Sequence, residues 1–405
     1  MLREEIVINT IPVGPLGIIA LKSCEGLGES IDKRISSWRK SRQSEFKKEL
    51  ALTGYEKDSY IIHVENPRFG SGEAKGVVKD TVRGKDVFIL VDICNNSLTY
   101  RMGQTLNRMS PDDHFQDLKR IIAAMGGKAN RINVIMPFLY ESRQHKRNAR
   151  ESLDCAMGLQ ELYAMGVDNI ITFDAHDPRV INAAPQNGFE NIKPSYQFLK
   201  NLCKVEKDII FDKDHLLMIS PDEGAIDRSV FFASVLGIDM ALFYKRRDYS
   251  VIDPKTGSNP IVAHEYLGIS PAGKDVIVVD DMISSGGSMI DTAKRLKEMG
   301  AKRIFVFSTF GLFTNGMEKF DAAHERGDIT RIFTTNLTYQ SPELLSRTDY
   351  YTSVDMSKFV SYIIDTLNHN ASISDLLDPT NRIKSLIEKY NNGELNQDSA
   401  FDSIE

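Results

Sequence analysis

Short apolar segments alternate with stretches of helical spacing from about residue 85 onward, and this alternation constrains the fold more than any other feature. The strand candidates are Val87–Val91, Ile132–Met136, Ile170–Phe173, Leu216–Ile219, Met240–Phe243, Val276–Val279 and Ile304–Phe307. Helical spacing occurs in Asp113–Met125, Leu153–Met165 and Met289–Met299. Strands that are continuously apolar and separated by amphipathic helices indicate parallel sheets covered on both faces. The sequence therefore predicts an α/β fold.

The same helix-to-strand transition recurs along the chain. Gly126, Gly166 and Gly300 each follow an Ala-Met or Glu-Met pair and precede a predicted strand. Glycine suits a helix C-cap in any protein, so the recurrence indicates a repeated αβ unit. It also fits two similar α/β halves, with a boundary in the Pro-, Asn- and Gly-rich segment 184–193. A charged helical pattern over Ser37–Leu50 indicates an N-terminal elaboration, and the polar composition after Asp378 predicts a peripheral tail.

Composition excludes several classes of protein. The chain has 405 residues and a net charge of −6, which gives no support for binding to nucleic acid or to a membrane surface. The four cysteines lie far apart in the sequence and form no CxxC pair, so free thiols in a reducing compartment are expected. No apolar run approaches the length of a membrane span. These features predict a cytoplasmic protein.

The most informative single segment is Asp275–Ser288. Apolar residues after Asp275 form a strand candidate, and the adjacent carboxylates Asp280 and Asp281 follow it. The next residues, Ser284-Ser285-Gly286-Gly287-Ser288, lead into an amphipathic helix. Backbone N–H groups at a helix N-terminus favour a bound phosphate. The carboxylates can accept hydrogen bonds from a vicinal diol or hold a divalent cation, so the segment indicates a sugar phosphate.

A purely structural loop is the alternative for this segment, because many α/β proteins place Asp and Gly at a strand end. The segment lacks the Gly-Lys-Ser/Thr of a nucleotide-binding P-loop and the Gly-x-Gly-x-x-Gly spacing of a dinucleotide site.

The Asp280–Ser288 segment resembles the phosphoribosyl-diphosphate loop of type I phosphoribosyltransferases and ribose-phosphate pyrophosphokinases. With gaps, the similarity to the pyrophosphokinases runs from about Gly28 to Leu377. It implies an α/β protein with two type I phosphoribosyltransferase-like domains, each a mainly parallel sheet flanked by helices. The expected limits are 1–190 for the first domain, completed by a helix near 355–370, then 191–350 for the second and 378–405 for the tail.

Several further segments resemble the nucleotide site of these pyrophosphokinases. Phe69-Gly-Ser71-Gly-Glu73 is similar to a loop that contributes to the adenine pocket of a neighbouring subunit in that family. Arg143-Gln144 is similar to an Arg-Gln pair that contacts ATP. Arg143 can pair with phosphate and Gln144 can contact an adenine edge. The resemblance also implies a homo-oligomer, either a dimer or a hexamer.

Two strand ends resemble sites for the metal-bound nucleotide. His176, in Thr172–His176, is expected to ligate Mg²⁺ or to contact the nucleotide phosphates. Asp222, in Ser220-Pro-Asp-Glu-Gly-Ala225, is expected to serve the metal. Lys245 and Arg247 open a polar loop, and the resemblance implies that they stabilise the charge on the transferring phosphoryl group.

Three substitutions depart from the family pattern. Ser284 replaces a usual carboxylate, Ala225 replaces a glycine, and His145 replaces an aspartate. The resemblance implies a ribose-phosphate diphosphokinase that uses ATP, ribose 5-phosphate and Mg²⁺. The substitutions leave open a catalytically silent, regulatory relative of such an enzyme. A phosphoribosyltransferase that consumes phosphoribosyl diphosphate is the other alternative, although one domain would suffice for that activity.

Overall fold

Two parallel sheets organise the protein. The structure is a computed structural model and describes residues 11–45, 54–147, 150–247 and 261–395. The first half contains a five-stranded, all-parallel sheet in the spatial order β1-β4-β7-β8-β9. Its strands are β1 Leu16–Ala20, β4 Asp86–Leu90, β7 Arg131–Ile135, β8 Asn169–Phe173 and β9 Gly188–Ile192. Its helices are α1 Glu25–Glu45, α2 Pro111–Met125 and α3 Asp154–Ala164.

Two small antiparallel ribbons belong to the first half. One joins β2 Val64–Glu65 to β3 Val77–Val78, and the other joins β5 Thr99–Met102 to β6 Thr105–Arg108. Short 3₁₀ turns occupy Lys22–Cys24 and Pro178–Ala183.

The second half contains a seven-stranded sheet in the order β12-β11-β10-β13-β14-β15-β16, parallel except for the edge strand β12. Its strands are β10 Leu216–Ser220, β11 Asp239–Arg247, β12 Ile261–Leu267, β13 Asp275–Ile283, β14 Arg303–Gly311, β15 Arg331–Thr335 and β16 Tyr351–Val354. A 3₁₀ turn spans Glu223–Ala225. The helices are α4 Ser195–Val205, α5 Ile226–Leu236, α6 Gly287–Glu298, α7 Glu318–Glu325, α8 Pro342–Leu345, α9 Ser357–Asn368, α10 Ser374–Leu377 and α11 Thr380–Asn391.

The predicted α/β class is confirmed, and all seven predicted strands and three predicted helices are present. The central strands are buried on both faces, which explains their continuous apolar sequence. Helix α2 shows why its ends could be read from sequence. Ser110 and Asp113 form a reciprocal capping box at its start, and Gly126 ends it in the left-handed conformation with φ 58°.

Helix α9 packs on the first half although it follows the second sheet in sequence. Buried Arg39 of α1 donates from Nε to Asp365 Oδ1 at 2.9 Å, and Asn368 Nδ2 donates to Asp86 Oδ2 at 2.9 Å. The domain limits stay a prediction. The expected limit at residue 190 lies inside β9, which is hydrogen bonded into the first sheet.

The prediction of a peripheral tail from residue 378 is wrong for residues 380–395. Ile383, Leu386 and Leu395 are buried, and Tyr390 Oη donates to the backbone carbonyl of Glu206 at 2.7 Å. The apolar residues recur at helical spacing among polar ones, so overall polarity concealed an amphipathic helix. Residues 396–405 of the predicted tail, and residues 46–50 of the predicted N-terminal helix, lie outside the described residues.

The prediction that a strand ends before Lys245 is also wrong. Strand β11 continues to Arg247 and pairs with β12, so Lys245 and Arg247 belong to an antiparallel hairpin at the sheet edge. Pairing with β12 extends β11 beyond the apolar segment that could be recognised in the sequence. Within the described residues, no helix is long and apolar enough to cross a membrane.

Candidate active site

Five side chains meet where the C-terminal end of β8 faces the C-terminal ends of β13 and β14. We call this set the catalytic junction: Asp174, His176, Arg228, Asp281 and Thr309. In parallel α/β sheets, ligands bind beyond the carboxyl ends of the strands. The junction brings such ends from both halves of the chain together.

Asp281 is the carboxylate that joins the two halves. Its Oδ2 lies 2.8 Å from His176 Nδ1 and 3.9 Å from Arg228 Nη2, and its side chain is only 5% exposed. Burial alone would raise the pKa of Asp281, but the His176 hydrogen bond and the Arg228 charge lower it below its ordinary value. Asp281 is therefore an ionised group that orients the His176 ring.

Arg228 is held in place by both halves. Its Nε donates to Asp174 Oδ1 at 2.7 Å and its Nη2 donates to the backbone carbonyl of Ala175 at 3.2 Å. Thr309 Oγ1 donates to the other oxygen of Asp174 at 2.8 Å. Burial would lower the pKa of Arg228, but the charges of Asp174 and Asp281 raise it above its ordinary value. The arginine is thus a permanently charged brace between β8 and β13.

Asp280 has the opposite environment. Consecutive strand residues point to opposite faces of a sheet, so Asp280 faces away from Asp281. Burial, followed by the negative charges of Asp281 and Asp222, raises the pKa of Asp280 well above its ordinary value. The two adjacent carboxylates therefore differ: Asp281 is charged and paired, whereas Asp280 is a proton-retaining group close to Asp222.

The prediction that the strand ends at Val279 is wrong on one side only. Strand β13 pairs with β14 through Ile283, whereas its recorded pairing with β10 ends at Val278. Asp280 and Asp281 therefore lie within a strand, beside a gap in the sheet on the β10 side. The shorter β10 opens that gap and leaves room there for a ligand.

The Ser284–Ser288 loop enters α6 as the sequence predicts. Gly286 has φ 83°, and a Cβ there would lie 2.3 Å from the Phe320 ring, so glycine is required both for conformation and for space. Ser285 and Ser288 are exposed and Ser284 is half-buried. Ser284 also accepts a hydrogen bond at its backbone carbonyl from Thr314 N at 2.9 Å. The loop therefore presents hydroxyls at the N-terminus of a 12-residue helix.

His145 lies beside His176, with ring centroids 5.5 Å apart. Its Nε2 is 3.2 Å from Asp177 Oδ2, and its Nδ1 is 3.2 Å from the backbone carbonyl of Ser142. Burial lowers the pKa of His145. The residue that departs from the family pattern therefore occupies the edge of the site, next to the predicted nucleotide ligand His176.

Arg143 and Gln144 point in different directions. Gln144 Nε2 donates to the backbone carbonyl of Ser152 at 2.8 Å, so one amide donor is already used. Arg143 is exposed and lines a cavity of about 460 Å³ between the two halves. None of the contacts recorded among the described residues joins Arg143 or Gln144 to His176. Their predicted role in ATP binding stays a prediction.

The Phe69–Glu73 loop is remote from the catalytic junction in the sense that no recorded contact joins the two among described residues. It is a tight turn in which Ser71 Oγ donates to Glu73 Oε2 at 2.8 Å and Gly72 N donates to Phe69 O at 2.9 Å. The Phe69 side chain is 51% exposed. An exposed aromatic on a rigid turn is available to a second molecule.

Three junction residues were not assigned a role from sequence: Asp174, Arg228 and Thr309. The signals were present, because Asp174 and Arg228 lie within the quoted segments Thr172–His176 and Ser220–Arg228. Asp174 adopts φ 41°, a left-handed conformation that is uncommon outside glycine and concentrates at functional sites. Their mutual contact depends on tertiary structure and has no sequence signal.

Asp222 occupies the turn after β10, where its Oδ1 accepts from Gly224 N at 3.0 Å. Within the described residues, no group of three or more His, Cys, Asp or Glu side chains has the arrangement of a complete metal site. The predicted metal residues His176 and Asp222 therefore do not form a metal cage by themselves.

Comparisons with known proteins cover most of the chain. Residues 16–166 match the family model described as the N-terminal domain of ribose phosphate pyrophosphokinase, and residues 188–328 match the phosphoribosyl transferase domain. The chain is 30% identical over 257 residues to a ribose-phosphate pyrophosphokinase from Ralstonia nicotianae, covering 62% of this chain and 70% of the relative. It is 28% identical over 288 residues to one from Pyrococcus abyssi, covering 69% and 87%.

A solved structure has the same fold. The crystal structure of phosphoribosylpyrophosphate synthetase from Mycobacterium smegmatis superposes with a TM-score of 0.66 at 19% identity, covering 88% of this chain and 99% of that one. The correspondence therefore includes both sheets.

Proposed function

Because the chain belongs to the ribose-phosphate pyrophosphokinase family, we propose that it transfers the diphosphate of ATP to the 1-hydroxyl of ribose 5-phosphate. The products are phosphoribosyl diphosphate and AMP. The observation that carries the proposal is the 2.8 Å contact between His176 and Asp281. It joins the predicted nucleotide ligand of one half to the predicted sugar-phosphate segment of the other.

The sugar phosphate binds at the start of α6. Ser285, Ser288 and the backbone N–H groups of Gly286 and Gly287 receive its 5′-phosphate, and the helix dipole favours that charge. Asp280 contacts the ribose hydroxyls, because it lies beside the gap left by β10. Asp281 is already bonded to His176, so it aligns the site and contributes its remaining acceptor capacity to the sugar.

The nucleotide phosphates lie between the two halves, near His176 and Asp222. The concentration of negative charge at Asp222, Asp280 and Asp281, which raises the pKa of Asp280, fits a bound divalent cation. Mg²⁺ suits a site of this kind, since it is commonly held by one or two carboxylates together with substrate phosphates and water. When bound, Mg²⁺ neutralises charge on the ATP oxygens. His176 and Asp222 are the residues that would hold the metal-bound nucleotide.

The chemical step breaks the bond between the β-phosphorus and the oxygen that bridges to the α-phosphate. The 1-hydroxyl oxygen of the sugar forms the new bond to that phosphorus. Lys245 and Arg247, on the hairpin of β11 and β12, stabilise the charge on the transferring group. Because β11 is next to β10 in the sheet, the hairpin lies on the same side as the Asp222 turn.

A second copy of the chain completes the adenine pocket. Phe69 supplies an exposed ring for stacking, and Glu73, held by Ser71, supplies an acceptor for the exocyclic amine. The active assembly is therefore a homo-oligomer, a dimer or a hexamer. Gln144 contributes its free carbonyl oxygen to the nucleotide site.

The purified protein is expected to form AMP from ATP only when ribose 5-phosphate and Mg²⁺ are both present. Omission of either one is the control for contaminating ATPase activity. A folded protein that forms no AMP with any divalent cation, yet binds both substrates, would be the silent relative. A protein that instead consumes phosphoribosyl diphosphate with a free base would be a phosphoribosyltransferase.

A further inference from the structure

A cavity of about 460 Å³ lies between the two halves, beside the catalytic junction. We call it the junction cavity. The first half contributes the residues after β4 and β7, and the second half contributes those after β14 and β15. Its apolar walls include Ile93, Phe138, Leu312, Phe313, Met317 and Leu344. A volume of this size is within the range of small-molecule sites in proteins.

The cavity contains a buried polar group with no partner. Thr338 is only 5% exposed and lines the cavity, and its Oγ1 makes no hydrogen bond within the described part of the chain. A buried hydroxyl without a partner is unfavourable by about 1–3 kcal/mol. A ligand that hydrogen bonds to Thr338 would satisfy it, whereas an apolar occupant would not.

A free cation lies at the wall of the same cavity. Arg143 makes no hydrogen bond or ion pair to any residue that the structure describes. Arg347 also lines the cavity, but both of its terminal branches are used: Nε and Nη2 donate to Asp321 at 2.7 and 2.9 Å. Arg143 is therefore the group available for an anion, and its planar guanidinium suits phosphate.

Carboxylates complete the polar lining. Glu141 and Glu318 both line the cavity, and neither is recorded in an ion pair among described residues. They can accept hydrogen bonds from hydroxyl or amine groups of a ligand. An anion at Arg143, hydroxyl or amine donors, and a body that packs against aromatic walls together describe a nucleoside monophosphate.

Two wall residues are held in an unfavourable backbone conformation. Glu141 has φ 51° and Phe313 has φ 43°, and positive φ is uncommon for residues other than glycine. Such conformations persist where the surrounding structure imposes them, and they concentrate at binding sites. Phe313 is held by aromatic contacts to Phe320 and Tyr351, with centroids 5.2 and 6.2 Å apart. The cavity wall is thus a shaped surface.

The same two walls continue into the catalytic site. Thr314, next to Phe313, donates its backbone N–H to Ser284 at the start of the sugar-phosphate loop. On the other wall, Ser142 accepts at its carbonyl from the ring of His145, which lies against His176. A molecule bound in the cavity would therefore contact both loops that position the substrates.

We propose that the junction cavity is a second ligand site, distinct from the substrate site, that binds a nucleoside monophosphate through Arg143 and Thr338. The proposal goes beyond the proposed catalytic function and does not depend on it. Because the walls continue into the Ser284 loop and the His145 ring, occupancy of this site is expected to change substrate affinity.

The test measures binding of guanosine 5′-monophosphate (GMP) by calorimetry to the full chain. Replacing Thr338→Val keeps the shape but removes the hydroxyl, and is expected to weaken GMP binding roughly three- to tenfold, the effect of one hydrogen bond. The matched control is Thr366→Val in α9. Its hydroxyl is likewise buried and without a partner, but it does not line the cavity. The control is expected to bind GMP like the unmodified protein.

A second pair of variants tests the cavity by volume. Leu344→Trp fills the cavity and is expected to abolish GMP binding. Leu345→Trp adds the same side chain at a neighbouring position that is 44% exposed and outside the lining, and should leave binding unchanged. Unfolding curves identify a Leu344→Trp protein that fails to fold, in which case the Thr338→Val pair decides.

Three results would overturn the proposal. They are the absence of GMP binding to the unmodified protein, equal binding by Thr338→Val and Thr366→Val, and loss of GMP binding in saturating ATP. The last result would place GMP in the substrate site. AMP formation by Thr338→Val is measured in parallel and is expected to stay within about twofold of the unmodified protein, since the side chain is outside the catalytic junction. Failure of the catalytic assay alone leaves the binding result intact.

Discussion

Where β8 faces β13, charged groups from the two halves are paired, whereas around the junction cavity a buried hydroxyl and a guanidinium remain without partners. In the first region Arg228 bonds Asp174 and Asp281 bonds His176 before any substrate arrives. In the second region Thr338 and Arg143 line an empty volume. The catalytic junction is therefore preorganised by protein–protein contacts, and the cavity can be completed only by a ligand.

The largest expected effect follows from breaking the junction. Asp281→Asn removes the charge that holds His176 and faces Arg228, so ribose 5-phosphate binding should be lost in calorimetry. The free energy of unfolding should fall by about 3 kcal/mol, because truncating one partner leaves buried charge uncompensated.

Asp280→Asn is the matched control at the next residue. Its carboxyl already favours the protonated form, so stability should be kept or raised near pH 7. Urea unfolding of the two variants compares them directly. Equal losses of stability would contradict the distinction between the paired and the proton-retaining carboxylate.

The next effect concerns the hairpin that lies beside the catalytic junction. Lys245→Ala or Arg247→Ala should lower kcat about 100-fold or more and leave KM for both substrates nearly unchanged, because the contact forms mainly in the transition state. Steady-state kinetics with each substrate varied separately provides the measurement. A change confined to KM would make these residues ground-state phosphate ligands.

The sequence supplied most of the fold and about half of this comparison. The apolar runs located the sheets, and Gly286 located the loop, because strand burial and glycine turns have local signals. Asp280 and Asp281 were identified as site residues, but their different environments were not, since one faces His176, 105 residues away.

The cavity had no sequence signal at all. Phe310, which replaces a family histidine, packs its ring against Phe138 of the other half with centroids 5.0 Å apart. Thr338 is an ordinary threonine until its surroundings show that its hydroxyl has no partner. Contacts of this kind arise from tertiary structure, and so the sequence could not reveal which residues close the cavity.

A smaller effect separates the two regions by pH. Asp92, after β4, is buried, and its Oδ2 accepts from Tyr339 N of the second half at 2.7 Å. Burial raises the pKa of Asp92 to about 7, although the backbone N–H groups of Cys94 and Tyr339 oppose the shift. The folded state therefore holds a proton that the unfolded state releases between about pH 4 and pH 7.

Stability should consequently decline as pH rises through that window, by up to about 1.4 kcal/mol per pH unit. Asp92→Asn should lack this component, so the difference in unfolding free energy between the two proteins should change over the same range. Urea titrations at several pH values provide the measurement. A constant difference would show that Asp92 is ionised throughout.

The smallest effect is expected at the departure from the family loop. Ser284→Asp adds acceptors and charge beside the sugar, so with Mg²⁺ present it should retain ribose 5-phosphate binding or tighten it roughly threefold. Ser284→Ala serves as the control for loss of the hydroxyl. If Ser284→Asp folds but does not bind, the assignment of Ser284–Ser288 to the sugar phosphate is wrong.

The transfer of a diphosphate across the catalytic junction is the central claim, and phosphorus NMR of a reaction mixture tests it most directly. With ATP, ribose 5-phosphate and Mg²⁺, the resonances of AMP and of a sugar-linked diphosphate should appear together and in equal amounts. Both should disappear in the Asp281→Asn protein. The appearance of ADP and inorganic phosphate instead, or of AMP without the sugar diphosphate, would contradict the account.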